Sequence, residues 1–291
     1  MHINYTSFNE SIFGMTSKND KIYDIEDHKF HIIHRNKNKV ILLPKLNENL
    51  TIRLKDLYDK RDVLNKYEFI CLQYIPEDVL NNKEFKNELR ENKVRIYNRF
   101  SLDSLISRFD NEYFDYCGKR FIDIRETKNN IEKNNKVIIK DSFNNIEEIE
   151  LLIKRWNDTS GMKYRRTNHS GYDLNFFRKY YKPQNYFGLF FYDPQNFLIG
   201  YSIANNTPKY INNIPCYSYI IRKCLIDQGI RNLTLYIDTK TFENVHKGVG
   251  DEFFVHWGAS GGTLLGYKEK FPVYDKKKIK FFMLKGSELY K

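Results

Sequence analysis

The sequence predicts an α/β protein made of two similar halves with mixed sheets. Its 291 residues suffice for one large hydrophobic core or two of ordinary size, and the length favours two. Hydrophobic residues make up 41% and aromatic ones 16%, with 22 Tyr and 22 Phe, so a packed core rich in strand-favouring residues is expected. Strand-like apolar runs alternate with helical stripes, most plainly in the second half, and the first half has matching content. The expected division is a loose polar arm over residues 1–20, a first half over 21–125 and a second half over 126–291.

In the first half, His31-Ile32-Ile33 and Val40-Ile41-Leu42-Leu43 flank Arg35-Asn36-Lys37-Asn38-Lys39, a pattern that predicts a hairpin with a basic turn. Residues 55–65 read as a short helix and residues 67–74 as a buried strand. Pro76-Glu77-Asp78 opens a charged helix to residue 92, its acids placed where the helix dipole favours them. Residues 94–97 suit a short strand. Across residues 116–136, Phe121, Ile124, Lys128 and Ile131 share one helical face with cations around it. This stretch reads either as a nucleic-acid contact through Lys119, Arg120, Arg125 and Lys128, or as a solvated connector.

The second half is more regular. Residues 145–156 form a helix with Ile146, Ile149, Leu152, Ile153 and Trp156 in a stripe, and with Glu147, Glu148 and Glu150 near its start. Residues 173–181 form a second helix, stopped before Pro183. Strands at 186–192 and 198–204 flank the turn Asp193-Pro194-Gln195-Asn196. A strand at 216–226, a Gly-containing turn at 227–232 and a helix at 233–246 follow. The chain continues with a strand at 252–257, a helix at 262–270 ended by Pro272, and a last strand at 280–284; Lys276-Lys277-Lys278 reads as a solvated loop.

Lys plus Arg exceed Asp plus Glu by 48 − 37 = 11, and the pI is near 9.2. That balance favours polyanionic partners such as nucleic acid, nucleotides, CoA or an anionic membrane face, although an AT-rich genome gives the same surplus without any partner. Cys71, Cys117, Cys216 and Cys224 stand far apart with no C-x-x-C spacing, which argues against a zinc site and for reduced thiols in a cytosol. The start, Met1-His2-Ile3-Asn4-Tyr5, lacks the apolar core of a secretory signal. No apolar run approaches the roughly 18–20 residues of a membrane span. The expected location is the cytoplasm, or the host cytoplasm if the protein is viral.

The element order of the second half resembles that of a GNAT acetyltransferase domain. Gly118-Lys119-Arg120 through Asn129, followed by a Glu-rich helix ending at Trp156, resembles the start of the catalytic domain of lysyl-phosphatidylglycerol synthases and Fem-type peptidyltransferases. Trp257-Gly258-Ala259-Ser260-Gly261-Gly262, continued by Thr263-Leu264-Leu265-Gly266-Tyr267-Lys268 and Phe271-Pro272, is similar to the Gly-rich turn, Lys-bearing helix and Phe-x-Pro close of the same group. The resemblance spans residues 116–285 and implies two GNAT-like halves in tandem. The first would be non-catalytic or would bind the acceptor or tRNA, and the second would carry the donor site. Those families move an aminoacyl group from charged tRNA.

GNAT domains hold an anionic part of the donor on backbone amides where a strand turns into a helix. The family pattern is Arg or Gln, two residues, Gly, one residue, then Gly or Ala. Here Gln228-Gly229-Ile230-Arg231 supplies one Gly, with Arg222 and Lys223 nearby, and the full spacing is absent. The candidate donor-binding residues are Arg222, Lys223, Gln228, Gly229 and Arg231, joined by Trp257, Gly258, Gly261 and Gly262, whose glycines permit close backbone approach. Both turns also suit ordinary surface or packing roles. His256 is the candidate general base, and Ser260 completes the candidate catalytic pair. A lone His beside a Trp at a strand end also fits a structural role.

The expectation is therefore an acyl- or aminoacyltransferase of the GNAT superfamily acting with a nucleic-acid partner. Charged tRNA would be the donor, or a DNA base the acceptor, as in phage amino-acid:DNA transferases that resemble the Fem group. Acyl-CoA is the other donor candidate, and no cofactor is firmly implied. The rival is a non-catalytic nucleic-acid-binding or virion-associated protein that retains a GNAT-like fold.

Overall fold

The computed structural model describes residues 21–23, 30–44, 51–77, 83–159, 166–225 and 230–291. The expected arm over residues 1–20 lies outside them. The chain begins with strands β1 (Lys21–Tyr23), β2 (Phe30–Asn36) and β3 (Lys39–Pro44), helices α1 (Leu54–Tyr58) and α2 (Arg61–Leu64), and strand β4 (Phe69–Pro76). It continues with α3 (Lys83–Glu91), β5 (Tyr97–Asp110), α4 (Asn111–Phe114), α5 (Ile122–Lys133), β6 (Ile138–Lys140), α6 (Ile146–Thr159) and α7 (Arg166–Lys179). Next come β7 (Tyr186–Tyr192), β8 (Leu198–Asn205), β9 (Lys209–Ile211), β10 (Ile214–Cys224) and α8 (Leu233–Val249). The last elements are β11 (Glu252–Ser260), α9 (Gly262–Lys268), β12 (Val273–Lys285) and α10 (Gly286–Leu289).

Two compact units result. The first takes the described residues up to Ile106 together with Trp257–Lys291, and the second is Ser107–His256. The sequence reading puts the boundary between the two halves at 125/126, whereas in the structure the last part of the chain belongs with the first unit. The physical reason lies in β12. It runs antiparallel to β4 from Ile279↔Pro76 to Lys285↔Phe69, and buries Phe282 and Leu284 in the first core.

In the first unit β2 and β3 form the expected hairpin, and β3 then lies parallel to β4 from Lys39↔Phe69 to Leu42↔Leu72. The crossover between them carries α1 and α2, where the sequence suggests one helix; the break falls at Asp59-Lys60. The Asp56 carboxylate accepts from the Arg53 amide at 2.8 Å and Glu88 of α3 accepts from the Leu54 amide at 2.7 Å, so the start of α1 has side-chain acceptors. Phe30, Leu42, Leu57, Ile70, Phe85 and Phe282 belong to one core. The helix expected over 76–92 is α3, and residues 78–82 lie outside the described set. The strand expected at 94–97 is instead the 14-residue β5. Lys276-Lys277-Lys278 is not a loop but part of β12, where Lys276 pairs with Glu269 at 2.6 Å.

In the second unit β10 and β11 are parallel, and β10, β8, β7 and β6 follow one another antiparallel. Helices α6 and α7 pack together over Ile149, Ile153, Phe176 and Phe190. Helices α8 and α5 pack together over Ile131, Phe191, Leu233 and Ile237. Helix α6 matches the predicted stripe, and Asn145 Oδ1 accepts from the Glu148 amide at 3.1 Å as its cap. Helix α7 starts at Arg166, well before the expected 173, and β9 makes an unforeseen short hairpin with β10. Both units thus share one motif: an antiparallel pair leads through a helical crossover to a parallel strand (β2-β3-β4 and β8-β10-β11).

Candidate active site

Strand β10 changes neighbours midway. Its parallel register with β11 covers Cys216↔Phe254, Tyr217↔Val255 and Ser218↔His256, while its register with β8 covers Tyr219↔Ala204 to Cys224↔Gly200. A bulge falls between Tyr219 and Ile221, directly after the last parallel pair. Bulges re-aim backbone groups out of the ladder. At the same point the Ser218 hydroxyl is buried with no hydrogen-bond partner among the described residues, a feature shared by the Tyr113, Tyr181 and Thr239 hydroxyls. A buried hydroxyl without a protein partner calls for one from an ordered water, an ion or a ligand. His256, opposite Ser218 in register, is 5% exposed.

Beyond the bulge β10 carries two cations, both paired. Arg222 forms an ion pair with Asp238 of α8, whose carboxylate is fully buried and also accepts from the Tyr219 hydroxyl at 2.5 Å. Lys223 pairs with Asp173 of α7 at 3.0 Å and lies 4.0 Å from the centroid of the Trp156 ring. The Tyr201 hydroxyl donates to the same Asp173 at 2.6 Å. Burial first, and then the Asp238 charge, push the Tyr219 hydroxyl well above its ordinary range. The sequence reading missed Asp238, Asp173 and Tyr219. A lone acid within the apolar run Leu235-Tyr236-Ile237-Asp238 was the available signal, since a buried acid needs a partner.

Strand β10 leads towards the start of α8, a 17-residue helix whose first-turn amides have no partner within the helix. Arg231 is exposed just before it. Gln228 and Gly229 lie outside the described residues. Along α8, Glu243 accepts from Lys128 at 2.5 Å, Lys240 at 2.9 Å and Tyr116 at 2.8 Å.

In the first unit the Gly-rich run is partly strand, since β11 extends to Ser260 and the turn itself is Gly261-Gly262. Gly258 and Gly262 adopt φ of 70° and 57°, a region costly for other residues, and Gly261 and Gly262 are exposed. Trp257 is buried against Phe271 with ring centroids 4.9 Å apart. Lys268 is buried, and its ammonium donates to the Trp257 carbonyl and to Ser260 Oγ, each at 2.6 Å. Ser260 therefore serves as an acceptor for a buried cation.

The basic stretch divides by role. Lys119 and Arg120 are exposed, with Arg120 over the Phe121 ring at 4.6 Å. Arg125 donates to the Tyr116 and Gly118 carbonyls, and Lys128 pairs with Glu243. Among the described residues no helix is long and apolar enough to cross a membrane.

No protein-family model matches the sequence, and no curated protein does either. Solved structures do match. L-PGS of Bacillus licheniformis is similar over 91% of this chain and 83% of its own, with TM-score 0.56 at 11% identity. The C-terminal domain of a protein assigned as a lysylphosphatidylglycerol synthetase from Agrobacterium fabrum covers 93% of this chain and 84% of its own, with TM-score 0.55 at 10% identity. A tandem GNAT protein from the clavulanic acid biosynthesis pathway covers 96% and 88%, with TM-score 0.54 at 6% identity. At these identities the likeness establishes the fold, which is that of tandem GNAT proteins.

Proposed function

We propose that the chain is an acyl- or aminoacyltransferase that works with a nucleic-acid partner. One observation carries the reading: the parallel pair of β10 and β11 ends at Ser218↔His256 with an orphan Ser218 hydroxyl, and a bulge follows at once. In a GNAT-type reaction the donor enters where these two strands part. The re-aimed amides at the bulge would polarise the donor carbonyl, and the start of α8 would take an anionic part of the donor. The acceptor amine or hydroxyl attacks the carbonyl carbon, His256 takes its proton, and the thiol or tRNA hydroxyl departs. Positioning supplies most of the rate in such a scheme. Charged tRNA and acyl-CoA are the donor classes, the first favoured by the +11 charge and by the fold shared with L-PGS.

The alternative, a nucleic-acid-binding protein without catalysis, draws support from Arg222 and Lys223, whose charges are already balanced by Asp238 and Asp173. One experiment separates the two. Purified full-length chain is incubated with radiolabelled aminoacyl-tRNA or radiolabelled acetyl-CoA, together with DNA and small amines. Transfer of label to an acceptor, reduced in Ser218→Ala, supports the transferase. Label retained by both donors, with nucleic acid still bound, supports the alternative.

A further inference from the structure

The first unit holds a cavity of about 400 Å³ where β4 begins and β12 ends, lined by Arg61, Asn65, Lys66, Glu68, Ser287 and Tyr290. Small-molecule sites span roughly 300–1,000 Å³, so the volume admits more than a bare ion. Its walls are tied together by hydrogen bonds. The Gly286 amide donates to the Glu68 carbonyl at 2.9 Å, the Tyr290 hydroxyl donates to the Leu57 carbonyl at 2.9 Å, and Arg61 Nη2 donates to the Tyr290 carbonyl at 3.1 Å. A Cβ at Gly286 would stand 2.2 Å from the Tyr67 carbonyl oxygen, an approach that only glycine permits.

Arg61 and Lys66 both line the cavity, and among the described residues neither has a carboxylate within ion-pair distance. Elsewhere in the same unit Arg53, Lys276 and Lys280 are each paired, with Glu84, Glu269 and Glu77. With Glu68 the lining carries two cations and one acid, a net positive charge that raises the local concentration of anions. The guanidinium fork, the ammonium, the Asn65 amide and the Ser287 hydroxyl together offer enough donors for the three oxygens of a phosphate. Glu68 lines the same cavity, and its carboxylate can only accept hydrogen bonds.

We propose that this cavity binds a small phosphorylated molecule carrying a hydroxyl or amino group. Arg61 and Lys66 hold the phosphate, Asn65 and Ser287 add neutral donors, and Glu68 accepts from the ligand's own donor. The site stands apart from the transferase reading and does not depend on it.

Calorimetric titration of the full chain with adenosine monophosphate, ribose 5-phosphate and inorganic phosphate tests the proposal, with adenosine and ribose as uncharged controls. Arg61, Lys66 and Lys55 are all exposed, and because Arg61 also donates to the Tyr290 carbonyl, circular dichroism and thermal melting of each alanine variant accompany the titrations. The expected result is saturable binding of the phosphorylated probes and none of adenosine or ribose. Affinity should fall about tenfold or more in Arg61→Ala and in Lys66→Ala, the scale of one charge-assisted contact, and stay unchanged in Lys55→Ala. Absence of saturable binding for every phosphorylated probe would overturn the proposal. So would equal affinity in the wild type and the Arg61→Ala/Lys66→Ala double variant.

Discussion

Removing the Asp238 carboxylate should destabilise the second unit by about 3–5 kcal/mol, the range for breaking a buried ion pair from one side. Asp238 is fully buried, and its two oxygens receive the Arg222 guanidinium and the Tyr219 hydroxyl. In Asp238→Ala the guanidinium, whose side chain is only 16% exposed, keeps its charge and loses this counter-ion. Tyr219 also loses an acceptor, worth about 1–3 kcal/mol when the group stays buried. Asp238→Asn keeps an acceptor oxygen and should lose less. The double variant Arg222→Met/Asp238→Leu should recover the part of the loss due to the unpaired guanidinium, because an apolar pair of similar volume needs no counter-charge, but not the part due to the Tyr219 acceptor. Urea titration followed by circular dichroism gives the overall change. Amide exchange in α8 and β10 localises it, which matters because two units need not unfold as one. A loss below about 1 kcal/mol in Asp238→Ala, no more than an ordinary substitution costs, would refute this account of how α8 is held against β10.

Glu243 gives a pH prediction. Burial pushes its carboxyl up, but hydrogen bonds from Lys128 and Lys240 outweigh that and hold it below the ordinary 4.5. A value lower in the folded than in the unfolded chain stabilises fully above the unfolded value and is lost as pH falls through the folded one. Stability should therefore decline below pH 4.5, and Glu243→Gln should flatten that decline; an unchanged acid slope contradicts it. Alkylation of the native chain should modify Cys117, which is exposed, long before Cys71, Cys216 and Cys224, which are buried; mass spectrometry after a short pulse decides. Burial, only partly offset by Lys209, pushes the Cys216 thiol up to about 12, which slows it further. Lys119→Glu/Arg120→Glu should weaken tRNA binding and lower its salt dependence, because each lost phosphate contact removes released counterions. Affinity that is flat from low to physiological salt would dispose of that claim.

Much of the second unit was legible because its signals are local. The run Tyr186-Phe187-Gly188-Leu189-Phe190-Phe191-Tyr192, the Asp193-Pro194 turn and the Ile149-Leu152-Ile153 stripe specify β7, β8 and α6 without reference to distant chain. β5 was hidden because Ser104 and Ser107 are buried in it alongside Leu105 and Ile106, so no alternation between apolar and polar faces appears. The first part of β12 was hidden by Lys276-Lys277-Lys278, because three successive lysines carry no alternation of apolar and polar residues. The placement of β12 beside β4 is a long-range pairing that no local pattern encodes. The same holds for the candidate site. Arg222 and Lys223 were identifiable as cations, but their pairing with Asp238 and Asp173 follows only from which faces of β10 meet α8 and α7. The Gly-rich run was visible, whereas the bond from Lys268 to Ser260 that fills it was not.

The measurement that bears most directly on the transferase reading is amide hydrogen exchange of the full chain, alone and with saturating acetyl-CoA or aminoacyl-tRNA. A donor seated where β10 leaves β11 should slow exchange at residues 219–225 and in the first turn of α8, and Ser218→Ala should diminish the effect of that same donor. Protection by neither donor, or protection confined to segments away from β10 and α8, would contradict the account.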